Sequence, residues 1–180
     1  MMTKTLRIMV VVTLMLALSS GIAAAATAGG TRGDDDLNGT RAKDNLKGLS
    51  GNDFVGGRGG DDVLKGNGGG DVISGGSGND RIIGGSGNDA SPYIFAGLSG
   101  GAGNDYISGG GGNDYLIGDT GRDTLIGGAG NDSIASTSGE SYDEPNSTDK
   151  IFCGTGKDTV YADRADSVAS DCEKVIYPND

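Results

Sequence analysis

The chain repeats itself every nine residues. From Gly66 to Ile83 it reads GNGGGDVIS and then GGSGNDRII, with glycine at the first and fourth places, Asp at the sixth and an aliphatic at the eighth. The same frame runs back to Gly30 and forward to Pro92, breaks for the seven residues Tyr93–Ser99, resumes at Gly100 and continues to Ala135. The sixth place is Asp at every step: Asp35, Asp44, Asp53, Asp62, Asp71, Asp80 and Asp89, then Asp105, Asp114, Asp123 and Asp132. Leu37, Leu46, Val55, Leu64, Ile73, Ile82, Ile107, Leu116, Leu125 and Ile134 fill the eighth, and only Ser91 breaks the series. A fixed short period of this kind marks an architecture of stacked units, none of which buries its apolar face alone.

Such a unit is too poor in apolar residues to order by itself. One inward aliphatic per nine residues contributes about 1.5–3 kcal/mol, less than the entropy lost in ordering nine residues, of which glycine loses most. Stacking also brings carboxylates to the strand spacing of ~4.8 Å, where two of them repel by ~1 kcal/mol even in water. Without a counterion the segment reads as an expanded polyanion. The donors available to a cation are carboxylates and the carbonyls of glycine-rich turns, and the chain has no histidine. Hard oxygen donors suit calcium, which takes 6–8 of them in flexible geometry; zinc and copper would want nitrogen or sulfur.

The formal net charge of −11 argues the same way. It repels phosphate backbones, so nucleic acid is not an expected partner, and it attracts cations. Residues 1–28 have the build of a secretory signal peptide: Lys4 and Arg7 at the start, an apolar run over Ile8–Leu18, and a small-residue cleavage site at Ala26-Thr27-Ala28. The apolar run falls short of the ~20 residues of a membrane span, so cleavage and export to the extracellular space are expected, with no span left afterwards. Removal takes two of the 14 basic residues and none of the 25 acidic ones, leaving the exported chain more acidic still.

GGSGNDRII, GGAGNDYIS, GGGGNDYLI and GGAGNDSIA resemble the RTX, or haemolysin-type, calcium-binding nonapeptide GGxGxDxUx. The resemblance implies an all-β fold, a parallel β-roll in which each unit gives a six-residue turn and a three-residue strand and two units make a coil. It implies calcium ions between turns stacked on one side, held by sixth-place carboxylates and backbone carbonyls. Carried onto this chain, the ligand set is Asp35, Asp53, Asp62, Asp71, Asp80, Asp89, Asp105, Asp114, Asp123 and Asp132, with Gly75, Ser77, Gly84, Ser86, Gly100, Ala102, Gly109, Gly111, Gly127 and Ala129. Partners sharing an ion would lie eighteen apart, as Asp62 with Asp80 or Asp105 with Asp123. Three turns depart from the pattern. Thr40-Arg41-Ala42-Lys43 loses the fourth-place glycine and adds two cations, so Asp44 is left out of the set; Gly30-Thr31-Arg32 lacks the second glycine; Asp119 and Arg122 alter the turn leading to Asp123.

The domain reading is a roll over 29–135, a polar linker over 136–152 and a short C-terminal cap over 153–180 that covers the last coil. Cys153-Gly154-Thr155-Gly156-Lys157-Asp158 opens the cap as one degenerate unit, and its Asp158, Asp163 and Asp166 are either one more ion site or solvated surface charge. Two cysteines in an exported chain most simply pair; Cys153–Cys172 would then close a loop worth about 3 kcal/mol in the chain-entropy picture, free thiols being the alternative. The Tyr93–Ser99 insertion is either a partner-binding patch or packing against the flank of the roll.

Other motifs carry little. Gly97-Leu98-Ser99-Gly100-Gly101 spells the GxSxG elbow, but a chain without histidine forms no Ser–His relay. Asp34, Asp36 and Asn38 with Gly39 begin an EF-hand loop that ends on Asn45 instead of Glu. Arg32-Gly33-Asp34 is an adhesion tripeptide in a chain crowded with glycine and aspartate. The reading is therefore an exported calcium-binding β-roll, not an enzyme, whose folding calcium drives; the alternative is a structural or adhesive surface module using the roll and the 93–99 loop.

Overall fold

The computed structural model describes residues 25–90, 97–136 and 148–177. Residues 1–24 of the expected signal, 91–96 around the insertion and 137–147 of the expected linker lie outside these. Sixteen short strands and no helix make up the described chain; no helix among these residues is long and apolar enough to cross a membrane. The strands are β1 (Thr27–Gly29), β2 (Asp36–Asn38), β3 (Asn45–Ser50), β4 (Phe54–Gly59), β5 (Val63–Gly68) and β6 (Val72–Ser77). They continue as β7 (Arg81–Ser86), β8 (Leu98–Ala102), β9 (Tyr106–Gly111), β10 (Tyr115–Thr120) and β11 (Thr124–Ala129). The series ends with β12 (Ser133–Ala135), β13 (Lys150–Thr155), β14 (Thr159–Tyr161), β15 (Ser167–Val168) and β16 (Lys174–Ile176).

Odd-numbered strands form one eight-stranded sheet and even-numbered strands the other, and all pairings are parallel, as in the expected parallel β-roll. Strands alternate around the eighth-place residue, which points inward while the seventh and ninth are more exposed, Ile117 and Ala135 being among the buried exceptions. Leu46, Leu64, Ile82, Ile107, Leu125 and Ile151 line one sheet; Leu37, Val55, Ile73, Leu98, Leu116, Ile134 and Val160 line the other. All of them are fully buried and form a single core.

The turns return the chain within six residues, and two glycines make that possible. Gly76 (φ 106°) and Gly78 (φ 126°), at the second and fourth places, are left-handed, a region that side chains disfavour. A Cβ on Gly78 would also run into the carbonyl of Gly60, one coil back. On the exposed side of the turns, the fifth-place side chains tie successive coils: the N–H of Asn104 donates to Oδ1 of Asn79 at 2.8 Å, that of Asn113 to Asn88 at 2.7 Å and that of Asn131 to Asn113 at 2.7 Å.

Three boundaries differ from the sequence reading. Leu98, not Ser91, fills the eighth place after Asp89, pairing with Ile73 on one side and Leu116 on the other, and the carbonyl of Gly97 before it accepts from Ile73 at 2.9 Å; the extra residues thus fall between Asp89 and Gly97, because the inward position demands an aliphatic and Leu98 supplies one. Residues 26–29 make a first rung on the roll: Ala26 is buried, and Thr27–Gly29 pair with Asn45–Lys47. The segment read as linker and cap supplies the final strands, β13 starting at Lys150 and stacking on β11 in the same frame. There Cys153 and Cys172 are joined in a disulfide.

Candidate metal centre

Every sixth-place carboxylate of the roll points into its own turn. From Asp44 on, its Oδ1 accepts a hydrogen bond from the N–H of the sixth-place residue one coil earlier: Asp62 donates to Asp80 at 2.8 Å, Asp71 to Asp89 at 2.8 Å, Asp105 to Asp123 at 2.8 Å and Asp114 to Asp132 at 2.9 Å. The eighteen-residue pairs are therefore neighbours. Across the insertion the same bonds join Asp80 to Asp105 at 2.7 Å and Asp89 to Asp114 at 2.9 Å.

The other oxygen has no such partner. Oδ2 of Asp53, Asp62, Asp71, Asp80, Asp89, Asp105, Asp114, Asp123, Asp132, Asp149 and Asp158 is buried without a hydrogen bond. An unpaired buried polar atom is costly and a charged one more so, yet it recurs here at each step. Around nine of these atoms the backbone supplies an acceptor rather than a donor. A Cβ on Gly75 would overlap Oδ2 of Asp80 and lie 2.5 Å from the carbonyl oxygen of Gly100 on the next coil. Gly57, Gly84 and Gly109 stand likewise between Asp62 and Gly75 O, Asp89 and Gly109 O, and Asp114 and Gly127 O. Negative oxygens converging from two coils, with only hydrogen on the first-place glycine between them, leave a place that suits a cation and no side chain.

The electrostatics follow from that crowding. Burial lifts the carboxyls of Asp53, Asp62, Asp105 and Asp132 from 3.8 to about 6, partly opposed by the ladder N–H and reinforced by neighbouring carboxylates. Asp89 and Asp149 rise to about 7 and Asp123 to about 8 for the same reasons, Asp149 adding most to the charge around Asp123. Asp71, Asp80 and Asp114 are raised as well, again by burial first.

Of the carbonyls expected from the sequence, Gly75, Gly84, Gly100, Gly109 and Gly127 stand in these cradles. The third-place carbonyls of Ser77, Ser86, Ala102, Gly111 and Ala129 each take a hydrogen bond at 2.7–2.9 Å from the fourth-place N–H of the coil before, leaving one lone pair free. Asp35 belongs to the column but lacks the orphaned oxygen: the N–H and hydroxyl of Thr31 occupy it. Two carboxylates beyond the expected set join it. Asp149 accepts from Asp123 at 2.7 Å and Asp158 from Asp132 at 2.8 Å, each across twenty-six residues rather than eighteen. Ser136 and Cys153 take the first place there, their carbonyls lying 2.6 and 2.7 Å from the Cβ positions of Gly118 and Gly127. Asp149 was hidden because the extra residues before it break the nine-residue count; the buried aliphatic Ile151 two places on was the available signal.

The donor set fits calcium. It is all oxygen, mixes carboxylate with carbonyl, and repeats along a stack. Among the described residues no three acidic or cysteine side chains cluster closely enough to hold a metal by themselves, so the carbonyls have to complete any shell. Bound there, calcium would supply the positive charge that the paired Oδ2 atoms and first-place carbonyls lack. Comparison with curated proteins returns no match. A family does match, in four copies over residues 29–64, 56–90, 98–125 and 108–140, and its description is the RTX calcium-binding nonapeptide repeat. With stacked turns, orphaned carboxylates and more than half its length covered by that match, the chain belongs to the RTX calcium-binding nonapeptide repeat family and is a calcium-binding β-roll.

Proposed function

We propose that this is an exported protein whose roll orders when it meets calcium, the ions binding between stacked turns in two columns. The observation that carries the reading is the run of eleven buried Oδ2 atoms without hydrogen-bond partners. A chain that ordered without a cation would have to bury all of them unpaired. The ligands in this reading are Asp53, Asp62, Asp71, Asp80, Asp89, Asp105, Asp114, Asp123 and Asp132, joined by Asp149 and Asp158, with the first-place carbonyls of the facing coil. Export is supported by the signal-like pattern of residues 1–28 and by the Cys153–Cys172 disulfide, a bond that persists in oxidising compartments. Affinity in the extracellular range of ~10⁻⁴–10⁻³ M fits such a role, and by mass action stability then rises with external calcium. Circular dichroism of the exported chain with calcium, with magnesium and with chelator tests this. Strand signal that grows only with calcium is expected, and a spectrum indifferent to all three would end the proposal.

A further inference from the structure

The first two turns of the roll are built differently from the nine that end at Asp53 to Asp132. In each of those nine turns the second-place residue has positive φ, whether glycine, as at Gly85 (124°), or not, as at Leu49 (90°), Arg58 (78°), Asn67 (79°) and Asp119 (73°). Thr31 and Thr40 hold that place in turns 30–35 and 39–44, and neither is left-handed, a conformation that β-branched side chains resist. The fourth-place residues there, Gly33 and Ala42, are not left-handed either, whereas Gly51, Gly60 and Gly69 in the next turns are.

The change of backbone turns two donors onto the carboxylate. The N–H of Thr31 donates to Oδ2 of Asp35 at 2.6 Å and its hydroxyl lies 3.1 Å from the same atom. The N–H of Thr40 donates to Oδ2 of Asp44 at 2.5 Å, with the hydroxyl 3.2 Å away. Each hydroxyl is itself oriented by an N–H two residues on, from Gly33 at 3.2 Å and from Ala42 at 3.0 Å. Asp35 and Asp44 are accordingly missing from the series of orphaned Oδ2 atoms, which begins at Asp53. A donor and a cation compete for the same lone pair, and the same two turns carry Arg32, Arg41 and Lys43 besides.

We infer that Thr31 and Thr40 stand in for the metal, so that the roll begins with a hydrogen-bonded, calcium-independent cap and its ion positions start at Asp53. This rests on the calcium-binding reading of the later turns and removes Asp35 from the ligands expected by resemblance. The carbonyls of Gly48 and Gly57 face these two carboxylates as in the later cradles, so what sets the first turns apart is the threonine donors on Oδ2.

Calcium uptake is to be counted by titration calorimetry on the exported chain, on Asp35→Asn/Asp44→Asn and, for comparison, on Asp80→Asn/Asp105→Asn. The first variant is expected to take up as much calcium as the wild type and the second less. Reduced uptake by the first, with normal uptake by the wild type, overturns the assignment and leaves the broader reading intact; a wild type that takes up none defeats the broader reading. Should Asp35→Asn/Asp44→Asn fail to order, Thr31→Gly/Thr40→Gly decides, since it frees both carboxylates and permits left-handed second places. Uptake above the wild type upholds the assignment, and uptake equal to it or lower refutes it.

Discussion

The N–H of Asp80 donates to Oδ1 of Asp105 at 2.7 Å, across twenty-five residues of sequence. The bond from Asp89 to Asp114 spans the same distance, and the others before the last coils span eighteen. Register here is thus kept by the carboxylate ladder and the buried aliphatics, and the extra residues are excluded from it. The same bond uses only one oxygen of Asp105, and the fate of the other underlies most of what can be tested.

Replacing an interior sixth-place Asp by Asn should act in opposite directions in the two states. Asp105→Asn can keep Oδ1 in the ladder while removing the charge and acceptor at the orphaned atom. In chelator the variant is expected to be more ordered than the wild type, having lost a buried charge; in calcium it should need several-fold more metal, the loss of a charged contact costing about 1–3 kcal/mol. Calcium titrations followed by circular dichroism measure both, and a variant weaker in both states would contradict the account.

Filling a cradle should abolish one ion position without touching any carboxylate. Gly75→Ala places a methyl against Oδ2 of Asp80 and the carbonyl of Gly100, the latter part of the backbone and unable to swing aside. Reduced calcium uptake by calorimetry is the expected result, whereas Gly29→Ala, with nothing within 4 Å of its Cβ position, should leave uptake unchanged.

Acid should partly replace calcium. The folded-state values of about 6 to 8 at Asp53, Asp89 and Asp123 lie above the ordinary 3.8. Folding therefore favours the protonated form: the stabilisation is full below pH ~3.8 and is lost as pH climbs through ~6–8. In chelator, order should be greater near pH ~5 than near pH ~8, and with calcium the dependence should weaken or reverse, because the metal takes the deprotonated carboxylate. A chelated chain that gains order on going alkaline would contradict this sign.

Strain at the second place can be relieved. Leu49 holds φ 90° with its side chain 44% exposed, so Leu49→Gly removes a left-handed penalty of about 1–2 kcal/mol at little loss of burial. A rise in melting temperature of roughly 2–4 °C per kcal/mol is expected at saturating calcium; the glycine's own entropy works against it, and a fall would mean that the entropy dominates.

The two ends lend themselves to direct chemical measurement. Ala26 N–H bonds Oδ1 of the buried Asp44, and the next three residues form β1. N-terminal sequencing of the exported chain should therefore find Ala26 retained, where the small-residue pattern alone put the cut after Ala28. At the other end, reducing Cys153–Cys172, nineteen residues apart, should cost about 3 kcal/mol. It should also weaken calcium uptake at the last coil, since the Cys153 carbonyl faces the cradle of Asp132.

From the spacing of Asp and aliphatic residues came the period and the need for a cation, because a strict repeat forces equal environments on equal places; the resemblance to a known repeat added the parallel roll and the ligand column. That reasoning stopped wherever the count slipped. Leu98 and Asp149 sit beyond extra residues, and only the stacked coordinates put them back in frame, since burial and ladder bonding select a residue by its position in space and not by its number. It stopped also at Thr31 and Thr40, whose nine-residue units keep their Asp. Whether such a carboxylate meets a hydroxyl and an N–H or keeps one oxygen unpaired depends on the backbone angle of one turn residue, which only the tertiary structure decided.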